Sequence, residues 1–126
     1  MQGKKPLGPL VILALLLGGS LAAKAETSYR DPGDMKEEER IAMMGKTNEY
    51  NKCVYGKAMA AVENLPDIRQ AADQAMTACR PVIDELKALV VKAGFDPGFG
   101  DQFAHSAQNR VVKMLMPELA LKKSGH

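Results

Sequence analysis

The residues of this chain with the clearest chemical potential are its two cysteines. Cys53 lies thirteen residues before Pro66, and Cys79 lies thirteen residues after it. If a helix, a tight turn at Pro66 and a second antiparallel helix follow one another, the two sulfur atoms come level and can bond. Free reactive thiols are the alternative, but the chain has no C-x-x-C motif and no basic neighbourhood with a nearby histidine. We therefore predict a disulfide that clamps a helical hairpin.

Nucleophilic catalysis requires a Ser, Cys or Thr beside a general base, most often a histidine. The chain has only two histidines: His126 is the last residue, and His105 falls on the polar side of a predicted helix. The motifs G-x-S-x-G, H-E-x-x-H and C-x-x-C-H are absent, as is a phosphate-binding glycine loop. The sequence therefore predicts no enzyme and no cofactor.

Methionine thioethers are ligands for Cu(I), and seven methionines follow residue 25. Met43 with Met44, Met114 with Met116, and His105 are the candidates for such a site. Methionine also fills irregular helical cores, and Met114 falls on a predicted apolar face. Copper binding is thus our second hypothesis, and no metal site is assigned.

The first 25 residues have the organisation of a signal peptide. Lys4 and Lys5 precede the apolar run Leu10–Leu17, and Ala23-Lys24-Ala25 has the small-x-small form of a cleavage site. An uncleaved anchor is the alternative, but eight apolar residues are far fewer than the roughly 20 that span a bilayer. We predict an exported protein, periplasmic or secreted, with no stable membrane anchor after cleavage.

Removal of this segment changes the charge of the protein. Of 17 basic residues, Lys4, Lys5 and Lys24 leave, so that 14 remain against 15 acidic residues. The electrostatic argument for nucleic acid or an anionic membrane as a partner therefore disappears. About a hundred residues remain, which is the size of one domain.

Helical periodicity dominates the rest of the chain. After a flexible arm over 26–33, Asp34 fits the N-cap of a short helix that Gly45 interrupts. The next helix starts at Thr47 or Asn48, and whether the two are continuous stays open. Its apolar face is formed by Tyr50, Val54, Ala58, Ala61 and Leu65, flanked by Tyr55, Met59 and Val62.

The second half of the hairpin starts after Asp67 and has the most regular spacing in the chain. Pro81 either kinks one nearly continuous helix, which we prefer because the apolar stripe keeps its phase, or opens a new helix after Arg80. Gly94 ends this segment. The stripe comprises Ile68, Ala72, Ala75, Cys79, Val82, Leu86, Leu89 and Ala93.

A last helix starts near Asp101 or at Pro97, and Pro117 should break or bend it. Its predicted apolar face contains Phe103, Ala107, Val111, Met114 and Leu115. The sequence thus predicts an all-α domain over 34–121, a disulfide-clamped antiparallel hairpin plus a third main helix in a three- to four-helix bundle, with a frayed tail over 122–126.

Three segments carry a resemblance: Glu49–Cys53, the Ile68–Ala75 run and Ala78-Cys79-Arg80-Pro81. Together they resemble the small, uncharacterised secreted or periplasmic helical proteins of proteobacteria that contain a single cysteine pair. The resemblance implies a periplasmic setting and no known activity. Our functional hypothesis is a non-catalytic module, either structural or binding a protein or peptide through a Met- and Ala-lined face. An exposed apolar patch favours the binding role, whereas a fully internal stripe argues against it.

Overall fold

A computed structural model describes residues 28–125, so that the predicted signal peptide over 1–25 and His126 lie outside the described residues. Four helices, with no strand in this part of the chain, confirm the predicted all-α bundle. They are α1 (Glu37–Ala61), α2 (Ile68–Ala78), α3 (Arg80–Lys92) and α4 (Pro97–Lys123), and short 3-10 turns at Pro32–Asp34 and Val62–Asn64 flank α1.

Helix α1 is continuous, which answers the question that Gly45 left open. Its N-cap is Lys36 rather than Asp34, and the Glu39 carboxylate accepts a hydrogen bond of 2.9 Å from the Lys36 backbone N–H. Met43 and Tyr50 are buried on either side of Gly45. Their burial outweighs the roughly 1 kcal/mol that a helical glycine costs relative to alanine.

The disulfide between Cys53 and Cys79 is present, with the two Cα atoms 6.0 Å apart. Helix α2 starts where predicted, because the Asp67 carboxylate caps it by accepting from the Arg69 N–H at 2.8 Å. Small side chains fill the interface of α1 with α2: Ala58, Ala71, Ala72 and Ala75 are all buried. Ala60, which a hairpin centred on Pro66 would place opposite Ala72, is instead exposed.

The chain leaves the helical conformation for one residue at Cys79, where φ is −95° and ψ is 7°. Two helices therefore replace the single kinked helix that we preferred, and Pro81 lies in the first turn of α3, where its missing N–H costs nothing. The apolar stripe continues across the break, because Cys79 and Leu86 of the predicted set are buried and Val82 and Leu89 are half-buried. Ile83 and Val90, each one position later than Val82 and Leu89, are also buried.

The connection from α3 to α4 is a Schellman turn, as Gly94 predicted. Gly94 has φ of +99°, its N–H donates to the Val91 carbonyl, and the Phe95 N–H donates to the Val90 carbonyl. Phe95 is buried over the end of the core. Helix α4 then begins at Pro97 rather than Asp101.

Helix α4 continues through Pro117 to Lys123, so Pro117 does not break it, and the predicted frayed tail is wrong for residues 122 and 123. Leu115 and Leu119 are buried on either side of the proline, and this burial keeps the helix against the core. At its end, the Lys123 ammonium donates to the carbonyls of Val62 and Leu65 in the hairpin turn.

The segment before α1 is anchored from Arg30 onward, in contrast to the loosely packed arm expected over 26–33. The Arg30 guanidinium donates to both Glu39 carboxylate oxygens, at 2.7 and 3.0 Å, and to the Ala93 carbonyl at 2.8 Å. It also lies 4.5 Å from the centroid of the Phe95 ring, a cation–π contact. Hydrogen bonds from Arg30 and from the Lys36 backbone lower the pKa of Glu39 to about 2. Arg30 thus joins the start of α1 to the α3–α4 turn.

Candidate binding groove

An extended hollow lies between α1 and α4, which run side by side in the same direction. Two adjoining hollows, of about 640 and 430 Å³, share Asn51 and Met114 and form one open groove. We call this the α1–α4 groove. Its α1 wall is formed by Met44, Thr47, Asn48, Asn51, Lys52, Tyr55 and Gly56, and its α4 wall by Phe103, Ser106, Arg110, Val111, Met114, Leu115 and Glu118.

Large apolar side chains are exposed along the groove. Met44, Tyr55 and Met114 are 48, 42 and 62 % exposed, and they are three of the seven large apolar side chains that residues 28–125 present to solvent. Val111 and Leu115 are buried beneath them. Exposed apolar side chains gathered in one groove are typical of a binding surface, whereas singly scattered ones need no explanation.

Gly56 opens the α1 wall of this groove. No atom of the chain lies within 4 Å of the position that a Cβ would occupy there. The glycine therefore has no packing role inside the protein. A glycine costs about 1 kcal/mol relative to alanine in a helix. The structural effect of Gly56 is to leave open space on the surface of α1.

The polar groups of the groove are unevenly distributed. Glu118 accepts a hydrogen bond of 3.4 Å from the Tyr55 hydroxyl at one end. Arg110 lies towards the other end and Lys52 between them, and neither cation forms a salt bridge within residues 28–125. The Asn51 amide oxygen is buried and has no hydrogen-bond partner in the same region. The groove is thus apolar along its length, with free positive charge on its Arg110 side.

The opposite side of α1 is closed. The disulfide and the buried alanines leave no large apolar side chain of the α1–α2 interface exposed among the described residues. The Met- and Ala-lined face expected from the sequence is therefore divided: Ala58, Ala71, Ala72 and Ala75 lie in the core, and Met44 and Met114 lie in the groove.

The copper candidates do not form one cluster. Met43 is in the core, and Met116 is partly buried against it. Met44 and Met114 share the smaller hollow, where the Met44 sulfur accepts a hydrogen bond of 3.2 Å from Arg40. His105 lies in a different hollow, beside Asp101 and Lys113. Within residues 28–125, no group of three or more His, Cys, Asp or Glu side chains is placed to hold a metal ion.

The structure also locates the side chains considered for catalysis. The sulfur atoms of Cys53 and Cys79 are bonded to each other, and His105 is exposed. Tyr50 is fully buried, and its hydroxyl has no hydrogen-bond partner among the described residues. Burial raises the pKa of Tyr50, an effect that the nearby Gln108 side chain opposes. A raised tyrosine pKa moves away from neutral pH and does not favour proton transfer there.

Sequence reasoning missed the groove because polar residues interrupt its pattern. Met44, Asn48, Asn51 and Tyr55 are spaced by four, three and four residues, which is helical periodicity, but two of the four are asparagines. Gly56, a helix-destabilising residue in the interior of a predicted helix, was the other available signal.

No protein-family model, no curated protein and no solved structure matches this chain. None of the helices between residues 28 and 125 has the length and apolar character that crossing a membrane requires.

Proposed function

We propose that this chain is a non-catalytic exported module that binds a segment of another protein in the α1–α4 groove. The observation that carries the proposal is the exposure of Met44, Tyr55 and Met114 along one groove of a bundle whose other α1 face is closed. Methionine side chains are flexible and polarizable, which suits a surface that adapts to a partner.

The shape of the groove favours a polypeptide over a small molecule. From Met44 to Gly56 it follows thirteen residues of α1, and the twelve steps between them, at 1.5 Å each, make about 18 Å. Small-molecule sites enclose most of their ligand, whereas the side chains here remain about half exposed. An apolar groove between two helices is a common receptor for an amphipathic helix.

Export is supported by the signal-peptide pattern of the first 25 residues together with the disulfide, because structural disulfides persist in oxidising compartments. Mass spectrometry of the exported fraction tests this part. A chain that begins at Glu26, with Cys53 and Cys79 oxidised, is expected. An intact N-terminus confined to the cytoplasm contradicts it.

Site-specific photo-cross-linking in the cells that produce the protein tests the binding role. A diazirine side chain at position 114 or 55 should yield one discrete adduct with the same partner peptide from both positions. Leu121 is the matched control, because it is as exposed as Met114, at 59 %, but does not line the groove. Adducts that are equal at position 121, or different partner peptides from 55 and 114, would refute the groove as the binding site.

Cu(I) binding is the second candidate, favoured by the shared position of Met44 and Met114 in one hollow. Two thioethers are a partial ligand set for a soft metal ion. Titration of the exported protein with Cu(I) tests this function, with Met44→Leu and Met114→Leu as variants. Unchanged Cu(I) affinity in both variants excludes a site in this hollow.

A further inference from the structure

The order and direction of the helices in this bundle indicate what kind of partner fits the α1–α4 groove. The disulfide joins α1 to an antiparallel α2–α3 segment, and α4 returns in the direction of α1. If α2 and α3 are counted as one segment, α1, this segment and α4 run up, down and up. An up-down-up-down bundle would add one more helix, antiparallel to both α1 and α4. The α1–α4 groove, on the side of these helices away from α2, is the position of that additional helix.

Helix dipoles favour the same direction. Because α1 and α4 are parallel, their dipoles add, and a third helix lying between them is favoured when it runs the opposite way. The positive N-terminal end of such a helix would lie near Glu118, and its negative C-terminal end would lie towards Arg110.

The charges beside the groove define the flanks of the occupant. Lys52 and Arg110 form no salt bridge with another residue in the region 28–125, whereas the Glu118 carboxylate already accepts from Tyr55. Acidic side chains on the partner would be attracted to the two cations, and basic ones would be repelled. The open space at Gly56 lets the apolar face of the partner approach the α1 backbone.

From these observations we infer that the groove binds an amphipathic helix of another protein, an inference that rests on the proposed function. This helix runs antiparallel to α1 and α4, and its acidic side chains face Lys52 and Arg110. The partner helix thereby completes an up-down-up-down bundle in which α2 and α3 together count as one segment.

Fluorescence anisotropy with two stapled 14-residue helical peptides tests this inference. Both peptides carry the same Leu/Ala stripe, and their flanking positions are all Glu in one and all Lys in the other. The Glu peptide should bind the exported, oxidised protein at least about tenfold more tightly, and Lys52→Glu with Arg110→Glu should reverse the preference. A nitroxide at the N-terminus of the peptide should broaden NMR signals of residues near Glu118 rather than those near Met44.

Gly56→Leu should weaken binding of the Glu peptide at least about tenfold, because the new side chain fills the open wall. Gly45→Leu is the matched control. Gly45 is also in α1 with no atom within 4 Å of its Cβ position, but it does not line the groove, so binding should change less than about twofold.

Three results would overturn the inference. The first is equal affinity of the protein for the two peptides, and the second is unchanged binding of the Glu peptide by the Gly56→Leu variant. The third is a dimer in sedimentation that Gly56→Leu abolishes, because this result would assign the groove to a second copy of the chain. If cross-linking still maps to positions 55 and 114 in any of these cases, the groove remains a binding site and only the identity of its occupant is wrong. Absence of that cross-link refutes the proposed function itself.

Discussion

Helix α1 has two long faces that the protein treats in opposite ways. On the face towards α2, Val54 and Ala58 are fully buried, and the Cys53–Cys79 bond holds the interface. On the face towards the groove, Met44 and Tyr55 remain nearly half exposed. One helix therefore serves the core on one side and solvent on the other.

This difference separates stability from function. Small buried side chains and a covalent link make the closed face rigid and specific for its own partner helix. Large exposed apolar side chains on the open face contribute little to folding, because they remain accessible to water. Substitutions on the two faces should therefore have different consequences.

The largest expected effect is loss of the disulfide. The double replacement Cys53→Ala with Cys79→Ala should lower the free energy of unfolding by about 3–4 kcal/mol, because the unfolded chain regains the freedom of a loop of about 27 residues. Chemical denaturation of the oxidised protein and the double variant measures the difference. A loss below about 1 kcal/mol would mean that the clamp does not stabilise the closed face.

Overpacking of the closed face should have the next largest effect. Ala58 is fully buried, so Ala58→Leu should destabilise the protein by about 1–3 kcal/mol. Met114→Ala on the open face is the comparison, and it should change stability by less than about 0.5 kcal/mol. Similar losses for the two variants, measured by thermal denaturation, would remove the distinction between the faces.

The two open glycines of α1 should show a smaller effect of opposite sign. Gly45→Ala and Gly56→Ala should each stabilise the protein by about 0.5–1 kcal/mol, since alanine restricts the unfolded chain and meets no atom within 4 Å in the folded one. Urea denaturation measures both gains. A loss of stability for Gly56→Ala would reveal an internal packing role for this glycine.

The Arg30–Glu39 pair should give a small pH-dependent contribution. The pKa of Glu39 lies at about 2 in the folded protein, below its ordinary value of 4.5, so the pair stabilises the fold above pH 4.5. That stability is lost as the pH falls through this window towards 2. Relative to wild type, Glu39→Gln should therefore show a deficit that is constant above about pH 5 and shrinks below it.

Denaturation midpoints between pH 2 and pH 6 measure this effect. Glu38→Gln serves as the control, because Glu38 is exposed and makes no salt bridge within residues 28–125. A Glu39→Gln deficit that persists unchanged at pH 2 would show that the pair is not the cause.

Local sequence rules predicted the hairpin well, because its determinants are local. Pro66 and the cap at Asp67 define the turn, the equal spacing of the cysteines defines the register, and Gly94 ends α3. Each of these residues acts through its own backbone or through a bond whose partner can be counted along the chain.

The sequence analysis overestimated how strongly a proline or a glycine inside a helix interrupts it. Pro117 and Gly45 each lie between residues that the tertiary structure buries, and that burial offsets their local cost. At Cys79, in contrast, a single non-helical residue separates two helices while the buried stripe continues from Ala75 to Ile83, so periodicity alone could not show the break. The groove escaped prediction because it exists only when α1 and α4 are placed side by side.

Methyl NMR of selectively labelled methionines tests the binding role of the open face most directly. The segment that cross-links to position 114 is added to the exported protein, and the methionine methyl signals are compared before and after. The account predicts large shifts for Met44 and Met114, and small ones for Met59 and Met76, which pack against the core. Shifts confined to Met59 and Met76, or no shifts at all, would contradict it.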